Sequence, residues 1–145
     1  MCLNSDRNES EDCTWKPKTA LIQVKTCQQT CFPVGFTIEQ SIDKNYLEKM
    51  VKGPYVFVYA CEVNDKFDFK YYILSRTQLI ELLYQSHYYY VHGYKREKKL
   101  NLQSPAGLHI RWFKGMSDKA TNKHIAFDNP IKTDCEDCWD NIWED

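Results

Sequence analysis

No apolar stretch in this sequence approaches the roughly 20 residues that a bilayer-spanning helix needs. The N-terminal MCLNSDRNESEDC also lacks the apolar core of a signal peptide. These absences lead to the expectation of a soluble, cytoplasmic chain with no membrane partner. Internal repeats and low-complexity linkers are missing as well, so the 145 residues read as one domain. With 43% hydrophobic residues, the chain has enough apolar material for a core. The seven cysteines, Cys2, Cys13, Cys27, Cys31, Cys61, Cys135 and Cys138, are odd in number and irregular in spacing. That excludes the disulfide framework of a small secreted domain.

Positive charge is absent from the C-terminus. All 19 Lys and Arg residues precede residue 134, where they face 14 acids for a net charge of +5. The closing DCEDCWDNIWED holds six acids: Asp134, Glu136, Asp137, Asp140, Glu144 and Asp145. A basic body suits a polyanion such as nucleic acid, although a solvated surface accounts for any single cluster equally well. Several catalytic signatures are missing too. His87, His92, His109 and His124 show no HExxH-type spacing, and there is no Gly-rich phosphate loop or GxSxG. Cys61, in the middle of an apolar run, reads as a core residue rather than a nucleophile.

Residues 1–11 read as an irregular segment, 12–133 as a single α/β domain, and 134–145 as an acidic tail. Asp12 to Trp15 and Thr19 to Thr26 are expected to form two strands joined at Lys16-Pro17-Lys18, with a loop or short strand over CQQTCFPVGF. SIDKNYLEKMVKG reads as a helix capped by Ser41 or Asp43. Its apolar stripe is Ile42, Tyr46, Leu47 and Met50, and Gly53 and Pro54 stop it. YVFVYACEV has the composition of a central strand buried on both faces. FKYYIL is the next strand, after a turn at NDKFD. SRTQLIELLYQ reads as a helix opening with Ser75 and Gln78 at capping-box spacing, with Leu79, Leu82 and Leu83 on its apolar face. HYYYVHGY and GLHIRWFKG read as strands, the latter with Leu108, Ile110 and Trp112 on one face. The expected architecture is a mixed central β-sheet flanked by helices in two or three layers.

Within TALIQVKT, residues 19–26, strand alternation puts Gln23 and Lys25 on one face and sends Ile22 and Val24 toward the core. Pairing across the Lys16–Lys18 turn would bring Asp12 opposite Gln23. The plain alternative is an amphipathic edge strand whose lysine discourages edge-to-edge association. A carboxylate, an amide oxygen and an ammonium together suit phosphodiester chemistry, in which a divalent cation polarises phosphate and activates water beside a lysine.

This constellation resembles the PD-(D/E)xK nuclease superfamily, the restriction-endonuclease-like fold, in its Gln-x-Lys variant. The likeness extends over roughly residues 12–86, where IQVKT is followed by a helix, the buried strand, the YYIL strand and the SRTQLIELL helix. It implies a metal-dependent nuclease with Asp12, Gln23 and Lys25 as catalytic residues. Mg2+ or Mn2+ would be held by Asp12 and Gln23, and Lys25 would act as base or charge stabiliser. It also admits a homodimer. Two departures, Gln23 in place of the usual acid and only eleven residues before Asp12, support a second expectation: a non-catalytic relative serving as a nucleic-acid-binding or protein-interaction module.

Two further features stand out. Lys95, Arg96, Lys98 and Lys99 follow Tyr88, Tyr89, Tyr90 and Tyr94, a mixture suited to nucleic-acid contact, although a strand with a solvated loop explains it too. Cys27, Cys31, Cys135 and Cys138 could offer four thiolates to Zn2+. The acids around the second pair raise thiol pKa values, however, so a structural zinc is not expected. In the tail, Trp139, Ile142 and Trp143 have the spacing of a docked terminal turn, which could fold over a basic cleft and imitate phosphate.

Overall fold

The computed structural model describes residues 19–93, 99–115 and 134–144. The expected strand at 12–15 and the turn at Pro17 lie outside them. Five strands are described: β1 (Gln23–Cys27), β2 (Cys31–Thr37), β3 (Tyr55–Val63), β4 (Lys66–Leu74) and β5 (Pro105–His109). The helices are α1 (Ile38–Ser41), α2 (Lys44–Met50), α3 (Arg76–His92) and α4 (Ile110–Phe113), with a terminal 3-10 turn at Trp139–Trp143. This is a mixed α/β arrangement. One sheet has the order β1-β3-β4, with β1 parallel to β3 and β3 antiparallel to β4, while β2 and β5 form a second, antiparallel pair.

β3 is central to its sheet, as its composition requires. Tyr55, Val56 and Phe57 are buried, and exposure then rises toward the β3–β4 turn. That turn is Asn64-Asp65, with φ values of 51° and 60°. This is the left-handed pair that a two-residue hairpin needs and that Asn and Asp tolerate well. One face of the sheet carries Phe57 and Tyr72, paired in register. They meet Phe32 of β2 and Phe113 of α4, with ring centroids 5.3 Å apart for Phe32–Phe57, 4.7 Å for Phe57–Phe113 and 5.1 Å for Tyr72–Phe113. The core therefore lies between the two sheets and is completed by Leu79, Leu82 and Leu83 of α3.

The capping box at Ser75 is fully formed. The Gln78 N–H donates to Ser75 Oγ at 3.2 Å, and the Ser75 N–H donates to Gln78 Oε1 at 3.0 Å. Thr37 and Gln40 repeat the device at α1. The single helix expected over 41–53 is instead two short ones. Thr37 caps the first and Asp43 the second, so the chain restarts at Asp43 rather than running on. Ser41 is not a cap: its hydroxyl donates back to the Thr37 carbonyl. Leu47 is buried, but Met50 at the end of the expected stripe is 46% exposed.

Two expected strands are corrected. HYYYVHGY continues α3 as far as His92, because no glycine or proline interrupts the turn register before Gly93 and Leu83 and Ser86 keep the buried stripe going. GLHIRWFKG is a strand only to His109. It then coils into α4, which buries Trp112 and Phe113 one after the other. The loop-or-strand at CFPVGFT is β2. Cys61 is half-buried rather than a core residue, and its thiol donates to the Asp68 carbonyl at 3.3 Å.

The tail is integrated with the fold. Residues 134–137 run along the free edge of β4: the Ile73 N–H donates to the Cys135 carbonyl at 2.9 Å, and the Asp137 N–H to that of Tyr71 at 2.9 Å. Cys135 is buried in the core, and its N–H reaches the Phe113 carbonyl at 2.9 Å. The expected terminal turn is present, with the Trp139 ring 5.5 Å from that of Tyr71.

Candidate active site

Gln23 and Lys25 sit on β1, paired with Tyr55 and Phe57 of β3. Alternation gives the two side chains one face, the same face on which Tyr55 and Phe57 enter the core. Gln23 is exposed and Lys25 half-buried. The strand starts where the Gln23 N–H donates to the Pro54 carbonyl at 3.0 Å. Just before it, the Leu21 carbonyl oxygen lies 2.1 Å from where a Cβ on Gly53 would stand. Only glycine permits that approach, so Gly53 sets how β1 joins the sheet. The Lys25 ammonium reaches toward β2, with Nζ 3.8 Å from the position of a Cβ on Gly35, whose φ of +84° is itself a glycine conformation.

The residues of β1 expected in the core are not there. Val24 is 54% exposed and Ile22 40% exposed. Lys25 and Gln23, not Val24, share the face of the core rings, so the polar residues line the inner approach and the apolar ones line the open side. Asp12 lies outside the described residues. Among the described residues no group of three or more His, Cys, Asp or Glu side chains is gathered as a metal would require. The described part of the site thus offers an amide and an ammonium, a pair able to bind and neutralise phosphate oxygens. It offers no seat for Mg2+ or Mn2+ on its own.

The same observation separates the two cysteine pairs. Cys27 and Cys31 flank the β1–β2 turn, where the Cys27 thiol donates to the Cys31 carbonyl at 3.1 Å. Cys135 and Cys138 lie along β4. Burial, then the neighbouring Cys138 and Asp134, push the Cys135 thiol far above its ordinary value. Cys138 is raised in the same sense, first by burial and then by its acidic neighbours. Both are poorly disposed to act as thiolates.

Beside the start of β1, a cleft of about 600 Å³ opens between Leu21 and Trp143, with Lys52 and Arg76 on its wall. Arg76 is committed elsewhere: its guanidinium donates to the carbonyls of Val51 at 2.7 Å and Glu48 at 2.6 Å, closing the end of α2. The tail meets this cleft with Ile142 and Trp143 rather than with its acids. Of the expected nucleic-acid contacts, Lys99 is exposed, whereas Lys95, Arg96 and Lys98 lie outside the described residues. Sequence reasoning missed the roles of Gly53 and Gly35. A single glycine before Pro54 carries no signal of a close approach two strands away.

No protein-family model, curated protein or solved structure matches the chain. The class defined by the fold is that of a mixed α/β domain with a mixed sheet.

Proposed function

We propose that the chain is a restriction-endonuclease-like domain that acts on the phosphodiester backbone of nucleic acid, with Gln23 and Lys25 at its reactive centre. The observation that carries this reading is the shared inner face of Gln23 and Lys25 on a strand whose neighbour is the buried β3. Further support comes from the elements after β1, which run helix, buried strand, strand, capped helix in the order the resemblance implies. Lys25 neutralises charge on the scissile phosphate, and Gln23 orients it by hydrogen bonding. A role for Asp12 and for Mg2+ or Mn2+ belongs to the same proposal. In the test, purified protein nicks supercoiled plasmid in the presence of Mg2+ or Mn2+, and Lys25→Ala lowers the rate by roughly 100-fold or more. Equal nicking by the two proteins would sink the proposal.

A second reading, a nuclease-fold relative that binds without cleaving, is favoured by the absence of a metal-ligating cluster among the described residues. Binding of nucleic acid with no nicking under any divalent cation would establish it.

A further inference from the structure

Helix α3 buries Leu79, Ile80, Leu82, Leu83, Ser86 and His87 on one side. The opposite side of a surface helix is normally covered by charged residues. Here it carries a ladder of rings. Tyr84, Tyr88 and His92 are spaced four apart, so each lies about one turn above the last. The centroids of Tyr84 and Tyr88 are 5.6 Å apart, and those of Tyr88 and His92 are 4.4 Å apart. Tyr88 is 47% exposed, and His92 is exposed as well. The ladder spans about 12 Å along the helix axis.

We infer that this face of α3 is a stacking platform for single-stranded nucleic acid. The inference rests on the nucleic-acid reading above and deepens it by naming the form of the polymer. Flat rings already in contact extend naturally into a stack with unpaired bases, whose faces are hidden in a duplex. Charge selects a polyanion over a neutral sugar or peptide. The helix ends at Gly93, and the exposed Lys99 follows six residues later. Its Cα is tethered within about 20 Å of Gly93 by chain length alone. At the other end of the ladder Lys44 is neutralised by its ion pair with Glu81, so uncompensated charge lies toward His92.

Fluorescence anisotropy of the full chain with a labelled oligothymidylate tests this. Tyr88→Ala is expected to weaken binding about tenfold, the loss of one stacked base. Tyr88→Phe, which keeps the ring, is expected to bind like the native chain. The duplex of the same length binds more weakly than the single strand. Lys99→Ala lowers the salt dependence by about 0.7 in the log–log slope, and Tyr88→Ala leaves that slope unchanged. An unchanged affinity for Tyr88→Ala, tighter binding of duplex, or no binding of the single strand each overturns the inference. Circular dichroism and thermal melting of Tyr88→Ala verify that this surface substitution leaves the fold intact. The two proposals fail separately. Tyr88-dependent binding without nicking removes the hydrolase and keeps the platform, while nicking that ignores Tyr88 does the reverse.

Discussion

His87 shows how one buried residue ties this fold to pH. Its Nδ1 lies 2.8 Å from the Leu83 carbonyl, so Nδ1 carries the proton and donates it. Burial lowers the pKa below its ordinary 6.5; hydrogen bonds to the Leu83 and Gly107 carbonyls oppose this, and the nearby His109 adds to it. The folded state therefore takes up a proton less readily than the unfolded chain. Stability is fully present above the unfolded value of 6.5 and falls as the pH drops through that value toward the depressed folded one. The slope approaches, at most, about 1.4 kcal/mol per pH unit. Urea unfolding from about pH 8 to about pH 5 should show this loss, and His87→Gln should flatten it. Glu81, whose carboxyl is held low first by the Lys44 hydrogen bond, has an ordinary value of 4.5 and adds its own loss only at more acid pH. A slope unchanged by His87→Gln would assign the acid sensitivity elsewhere. None of this was legible in the sequence. A histidine among tyrosines gives no sign of facing inward until the helix register is known, and there β-formers masked the helix.

At the scale of elements, local chemistry was readable wherever it was self-contained. Ser75 and Gln78 cap each other within one turn, so their spacing alone identified the start of α3. Ser75→Ala should cost about 1 kcal/mol, seen as a lower urea midpoint with an unchanged slope. A loss below a few tenths of a kcal/mol would mean that the box contributes little despite both hydrogen bonds being present. What sequence could not decide was persistence. YYYVH has strand propensity, but it follows a well-capped helix whose apolar face continues through Ser86 and His87, and tertiary burial overrode propensity. The same limit produced the error at β1. Alternation correctly put Gln23 and Lys25 together, but which of the two faces meets the core depends on β3 and Gly53, and neither is local to the motif. The candidate site was therefore legible as a pair and misread in its surroundings.

At the scale of the whole molecule, the acidic tail looked separable in composition and is not separable in structure. Its charge invited a view of it as an add-on, because composition reports only solvation. Yet β4 has a free edge, and residues 134–137 cover it, while Asn141 Nδ2 donates to the Ile73 carbonyl at 2.7 Å from a buried position. Removing 134–145 would strip β4 of these partners and open the core at Cys135. At about 1 kcal/mol per hydrogen bond plus the burial of Cys135, the loss should reach roughly 3–5 kcal/mol, a large part of a typical domain's stability. Asn141→Ala is the milder form and should cost about 1–2 kcal/mol by leaving the Ile73 carbonyl unpartnered. Urea unfolding of both variants checks this, and a truncated chain as stable as the full one would make the tail an appendage after all. A consequence follows for any test of charge mimicry by the tail. Deletion would confound lost fold with lost charge, whereas Asp140→Asn with Glu144→Gln removes two exposed charges and keeps the β4 edge covered. If nucleic-acid affinity at low salt rises in that double variant while its unfolding midpoint stays fixed, the acids screen the basic body; if affinity does not move, the tail's role is structural alone.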